Sequence, residues 1–179
     1  MKIIAVVVQS VNGRITNGND DRVYKWTSEE DKKHLREMTA AASLIVMGSS
    51  TYDAFKQYLK LSPTTLRIVM TSHPEKYRDE VVAGQLEFSS QTPGELVETY
   101  GKKGHKKLLL LGGSKVYSSF MEAKLINELL LTVEPLLFGS GKPLVEGSET
   151  TSLKLISCKQ LNEKGTLLLR YTVLHPNNN

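Results

Sequence analysis

Lys107-Leu108-Leu109-Leu110-Leu111-Gly112-Gly113-Ser114-Lys115-Val116-Tyr117 is the stretch that decides the fold. It opens as an apolar run, breaks at two glycines and resumes with Val116, Tyr117 and Phe120 at helical spacing. Ser114 stands where a helix cap would stand. A second stretch repeats the sense: Leu44-Ile45-Val46-Met47-Gly48-Ser49-Ser50-Thr51. Both read strand, glycine, hydroxyl residues, helix. A helix N-terminus offers unpaired N–H groups and a partial positive charge, and glycine lets a phosphate approach the backbone. Two such junctions could hold the phosphates of a dinucleotide, although ordinary strand-to-helix turns use the same residues. No G-x-G-x-x-G and no G-K-[ST] loop is present, so neither the usual Rossmann fingerprint nor a Walker site is indicated.

Outward from these junctions, a continuous apolar run rich in β-branched residues predicts a strand at Ile3–Val8, and further strands are expected at Leu66–Met70, Leu86–Phe88 and Leu129–Val133. Leu153–Leu161 and Thr166–Leu174, split by Glu163-Lys164-Gly165, predict a hairpin. Thr27 and Glu30 form a capping box ahead of the stripe Leu35, Met38 and Ala42. Ser50 or Thr51 would cap a short helix through Phe55, and Pro93 opens one through Leu96 and Tyr100. Residues 11–26 form a long polar loop, of the kind that is functional or mobile. The alternation predicts a three-layer α/β/α fold with a mostly parallel mixed sheet and an antiparallel C-terminal hairpin. Residues 1–174 are expected to be one domain, with 175–179 a frayed tail.

Composition narrows the function. Of the 179 residues, 40% are apolar and 23% charged, as in globular proteins, and no apolar run approaches the ~20 residues of a membrane span. The start reads as a strand, not a signal peptide. Cys158 is the only cysteine, which excludes internal disulfides and multi-cysteine zinc sites and fits a reducing cytoplasm. It is expected to be packed in its strand. The net charge of +4 comes from Lys102, Lys103, Lys106 and Lys107, read as a solvated turn. No nucleic-acid motif accompanies them. His34, His73, His105 and His175 have no metal spacing, and His34 is expected on an exposed helix face. Trp26 is assigned to the core by default. Asp31, in the first turn of a helix, is either a dipole-favoured surface acid or a buried carboxyl group facing a cleft.

Taken in order, several motifs resemble the dihydrofolate reductase superfamily, which includes the reductase domain of riboflavin biosynthesis. They are Val11-Asn12-Gly13-Arg14-Ile15, Trp26 with Asp31 five residues on, Val46 to Thr51, Ile68-Val69-Met70-Thr71-Ser72, Leu110 to Tyr117, and Leu130-Leu131-Thr132. The resemblance runs from Lys2 to about Leu174. It implies a dihydrofolate reductase-like fold and hydride transfer from NADPH to a carbon–nitrogen double bond of a small molecule. It implies Asp31 as the residue that helps protonate the substrate, with Thr132 beside it. Val6, Val7, Val8, Leu35 and Phe55 would wall the substrate. Ile15, Gly48, Ser49, Ser50, Thr51, Thr71, Ser72, His73, Gly112, Gly113, Ser114, Lys115, Val116 and Tyr117 would contact the cofactor. No metal, nucleic acid or membrane is implied. The chain would be a monomer or homodimer, and the loop from Pro135 and the C-terminal hairpin are the surfaces proposed for contact.

Three departures qualify the resemblance. Ser49 replaces the arginine of Gly-Arg-x-Thr, leaving Lys115, His73 or Arg14 to compensate. Thr65 stands where an arginine would grip folate's carboxylate, with Arg67 on the same side of the strand. Pro135-Leu136-Leu137-Phe138-Gly139-Ser140-Gly141-Lys142-Pro143-Leu144 resembles the riboflavin branch, but that branch's Asp-Asp-Pro loop and cysteine-rich zinc motif are absent. The Trp26–Asp31 spacing makes 7,8-dihydrofolate the first expected substrate. The ribosylamino-pyrimidine of riboflavin synthesis is the alternative.

Overall fold

A computed structural model describes residues 1–147 and 150–175. Eight strands form one sheet: β1 (Lys2–Ser10), β2 (Leu44–Gly48), β3 (Leu66–Met70), β4 (Leu86–Ser89), β5 (Lys107–Leu110), β6 (Glu128–Glu134), β7 (Ser152–Gln160) and β8 (Leu167–Leu174). Their order is β4-β3-β2-β5-β1-β6-β8-β7. The first six are parallel, and β8 and β7 join antiparallel as the hairpin. Ala5, in central β1, pairs with Leu110 on one side and Leu129 on the other.

Helices cover both faces. Leu96 and Tyr100 of α3 (Pro93–Lys102) pack with Tyr117 and Phe120 of α4 (Ser114–Glu122) against Ile3, Ala5, Val46 and Leu110. On the other face, Leu35 and Met38 of α1 (Glu29–Ala40) and Tyr52 of α2 (Ser49–Phe55) meet Val6, Ile45, Met47 and Val69. Alternation along each strand divides the apolar residues between these two cores. All of β2 is buried as a result.

Several local expectations are corrected. The cap of α1 is Ser28, whose hydroxyl accepts from the Asp31 N–H, so the Thr27–Glu30 box does not form. Gly48 and Gly113 cap α2 and α4, placing Ser50, Thr51 and Ser114 inside the helices. A capping box does form at Thr92 and Glu95, ahead of α3. The loop from Val11 is tied down: the Val11, Ile15 and Gly18 N–H groups donate to the carbonyls of Leu136, Lys142 and Ser140. Gly141 is required there, since a Cβ would strike the Thr16 backbone. Cys158 is exposed, not packed, because β7 is an edge strand exposed along its whole length. His34 is half-buried, and Trp26 is half-buried edge-on to Phe138 with ring centroids 5.1 Å apart. His175 Nε2 lies 2.9 Å from the Ile126 carbonyl, and the rest of the expected tail, 176–179, is outside the described residues. No helix among the described residues is long and apolar enough to cross a membrane.

Candidate active site

The two glycine junctions lie side by side. Leu111 N donates to Val46 O at 2.9 Å, and Gly48 N donates to Gly112 O at 2.7 Å. Gly112 has a φ of +80°, and a Cβ on it would fall inside the Tyr117 ring. That position needs glycine for both reasons. Gly113 is different: a Cβ there would find only Thr51 Oγ1, at 3.5 Å. Its bareness is not needed for packing and leaves the backbone open to the cleft. Ser114 follows in the first turn of α4, buried, its Oγ without a hydrogen-bond partner among the described residues. An orphaned donor at a helix N-terminus fits a phosphate oxygen.

These junctions form one wall of a cleft of roughly 1360 Å³ beyond the carboxyl ends of the parallel strands. Single ligand pockets usually hold ~300–1,000 Å³. This volume has room for a dinucleotide and a second small molecule. Val6, Val7, Val8, Ile15, Asp31, Leu35, Gly48, Ser49, Ser50, Thr51, Phe55, Thr71, Ser72, Gly113, Ser114, Lys115, Val116 and Tyr117 all line it. His73, Gly112 and Thr132 do not. His73 is turned to Glu75 at 3.1 Å on the exposed surface, and Gly112 is shielded by Tyr117. Of the three basic residues able to stand in for an arginine at Ser49, Lys115 lines the cleft, whereas Arg14 is held by the Gly141 carbonyl.

Asp31 is only 7% exposed. Burial drives its pKa up to about 6, and the nearby Glu134 carboxylate pushes the same way. The Thr132 hydroxyl, as a hydrogen-bond donor to the ionised form, and Lys32 act against this rise. Thr132 is itself 1% exposed, behind Asp31 on β6. The Tyr117 hydroxyl donates to the Val6 carbonyl at 2.6 Å, tying α4 to β1 beneath the cleft. Its pKa is raised by burial and by the Asp31 charge, so it stays a donor.

At the far end, Thr65 and Arg67 both face the cleft. Thr65 Oγ1 donates to the Ala42 carbonyl, just beyond the C-terminal end of α1. Arg67 is 7% exposed, and its one side-chain hydrogen bond among the described residues is from Nη1 to the Thr65 carbonyl at 3.3 Å. It pairs with no carboxylate among the described residues. Burial lowers its pKa, as expected for a cation without a counter-charge.

One buried acid escaped the sequence analysis. Glu134 closes β6, two residues beyond Thr132, and is 3% exposed. Its carboxylate accepts from Ser28 N, Ser28 Oγ and Thr166 Oγ1, each at 2.7 Å. The i, i+2 spacing from Thr132 was the one signal that could have pointed to it.

Comparison with known proteins bears on the family and the fold. The family model described as "RibD C-terminal domain" matches residues 1–167. The uncharacterized protein YwjB of Bacillus subtilis is 26% identical over 167 residues, covering 90% of this chain and 93% of that one. A putative riboflavin biosynthesis protein of Shewanella sp. PV-4 superposes with a TM-score of 0.77 at 19% identity, over 98% of this chain and all of that one. A dihydrofolate reductase of Enterococcus faecalis, solved in complex with NADP(H) and RAB-propyl, superposes with a TM-score of 0.66 at 20% identity, over 97% of both chains. Both structural likenesses concern the fold. The chain belongs to the RibD C-terminal domain family, a reductase domain on the dihydrofolate reductase-like fold.

Proposed function

We propose that this protein is an NADPH-dependent reductase of a carbon–nitrogen double bond in a small molecule that joins a heterocycle to an anionic tail. The favoured substrate is the phosphoribosylamino-pyrimidine of riboflavin synthesis, whose opened ribose offers that bond as an imine between the sugar carbon and the exocyclic nitrogen. The family supports this order over dihydrofolate, which the sequence motifs put first. The observation that carries the reading is that one cleft joins the Gly113–Ser114 turn, the buried Asp31 carboxyl and the unpaired Arg67 guanidinium.

Reducing a carbon–nitrogen double bond needs a hydride at carbon and a proton at nitrogen. Reduced nicotinamide, when bound, supplies the hydride. Gly113, Ser114 and Thr51 would hold its phosphates, and Lys115 would add positive charge nearby. With a pKa near 6, Asp31 holds a proton over part of the neutral range and can release it toward the substrate nitrogen. Leu35 and Phe55 line the cleft and exclude water. Arg67 would pair with the tail, a buried cation with free donors being suited to a phosphate or carboxylate. From Asp31 to Ala40, α1 spans about 14 Å along the cleft. That is room for a heterocycle, a sugar and its phosphate in sequence.

Dihydrofolate remains a second reading, favoured by the buried acid five residues after Trp26. Loss of reduced-nicotinamide absorbance separates the two, using NADPH and NADH in turn with each substrate. Turnover of the pyrimidine with NADPH is expected. Turnover of dihydrofolate alone would move the assignment, and absence of cofactor binding would end the enzyme reading. Leu153 and Leu155 on β7, and Leu137 after β6, are exposed apolar residues through which two copies of the chain would pack as a homodimer.

A further inference from the structure

Three separate parts of the chain meet at Glu134. One carboxylate oxygen accepts both the Ser28 N–H and the Ser28 hydroxyl, and the other accepts the Thr166 hydroxyl at the start of the last strand. Ser28 Oγ in turn accepts the Asp31 N–H at 3.3 Å. A continuous chain of hydrogen bonds therefore runs from the turn of the C-terminal hairpin, through Glu134, to the backbone of Asp31. A parallel strand of contacts runs beside it. Asn162 Nδ2 donates both to Glu30 and to Thr166 Oγ1, and Asn162 Oδ1 accepts from Thr166 N.

A buried carboxylate is costly unless donors satisfy it. Here all three donors are supplied by protein, none is a cation, and two belong to the residue that caps α1. Leucine at this position would fill the space without that cost. What leucine would not do is hold Ser28, and through it the first turn of α1.

We infer that Glu134 is a positioning residue that fixes Asp31 in the cleft by clamping the Ser28 cap of α1 to the end of β6 and to the hairpin turn. It rests on the reductase reading for the purpose of Asp31, but the clamp itself is observable without turnover. Its negative charge has a second effect. The groups acting on Asp31 are Lys32 on its own helix, Thr132 and Glu134 on β6, and Tyr117 on α4. Tyr117 already donates to Val6, and Lys32 is engaged with Glu29. Glu134 therefore acts on Asp31 through two routes, the cap and the field.

Two variants separate the routes. Glu134→Gln removes the charge and keeps the length. Ser28→Ala keeps the charge and cuts the link. The readouts are the carboxyl carbon shift of Asp31 against pH, assigned with Asp31→Asn, and hydrogen exchange of the amides of residues 29–32. Glu134→Gln should lower the Asp31 midpoint by roughly 0.5–1 unit, the effect of removing one nearby like charge. Ser28→Ala should leave that midpoint high and speed exchange in the first turn about fivefold or more, as for other lost caps. Where Glu134→Gln does not accumulate as folded protein, Glu134→Asp serves: the charge remains, the reach shortens, and the exchange should quicken with the midpoint held. An unchanged Asp31 midpoint in Glu134→Gln, or unchanged exchange in Ser28→Ala and Glu134→Asp, would overturn the inference. Neither result depends on whether the substrate has been named. Absence of any reductase activity in the wild type would instead fault the functional reading and leave the clamp standing.

Discussion

Replacing Asp31 with Asn should make the protein more stable and less active. The folded chain holds the Asp31 proton with a midpoint near 6, against 3.8 for an ordinary aspartate. The folded state therefore binds this proton more tightly than the unfolded state. Stability is greatest below the unfolded midpoint, falls as pH rises from about 4 to 6, and stays low above that. The shift of about two units corresponds to about 3 kcal/mol at pH 8. Asparagine is neutral at every pH and nearly the same shape, so Asp31→Asn removes that cost. Its gain at pH 8 should be about 1–3 kcal/mol, less than the full figure because asparagine makes imperfect use of Thr132. A chain of this size should then melt a few degrees higher. The gain should shrink toward zero near pH 4. Urea unfolding, followed by the fluorescence of Trp26, the only tryptophan, gives the free energies at pH 4.5, 6 and 8. A difference that does not change with pH, or a variant less stable at pH 8, would refute the reasoning. Reductase turnover should fall at the same time, because the proton source is lost.

Three other outcomes are expected. Gly113→Val should fold normally and lose cofactor affinity by calorimetry, whereas Gly112→Ala should lower the melting temperature, since its Cβ has no space beside Tyr117. Equal effects of the two would show that Gly113 does not face the cofactor. Arg67→Met should leave the urea midpoint unchanged or raise it, while raising KM for an anionic substrate about tenfold or more. An unchanged KM would remove Arg67 from the site. Leu155→Lys, on the exposed edge strand, should reduce the mass measured by light scattering if the protein pairs through the hairpin. An unaltered dimer would place the contact elsewhere.

Most of the sheet was legible because its strands are short apolar runs bounded by glycine and polar turns, and because both cores draw on alternate residues of the same strands. The glycine junctions were legible for the same reason. Less was legible where two local patterns competed. Thr27–Glu30 and Ser28–Asp31 have the same capping spacing one residue apart. Ser28 wins because Thr27 is buried and the Ser28 N–H is taken by Glu134. That partner lies 106 residues away and leaves no local pattern. Cys158 was misplaced for a related reason. Its strand looks like any other in sequence, and only the strand order reveals that β7 has one neighbour. Arg67 could be placed on the correct side of its strand from alternation, but its lack of a counter-charge is a fact of three dimensions.

The position of β1 in the middle of the sheet has a consequence for how the chain is made. Lys2 pairs with Lys107, and Ile4 with Glu128, so both neighbours of β1 are synthesised more than a hundred residues after it. At about 5–20 residues per second, Ile3–Val8 waits on the order of 5–20 s before either partner exists. During that interval a β-branched, apolar segment with no ladder to join is available to other chains. The β7–β8 hairpin, by contrast, pairs within its own length as soon as it is made. Yield on expression should therefore respond more to translation rate and to changes in the first eight residues than to changes anywhere in the hairpin.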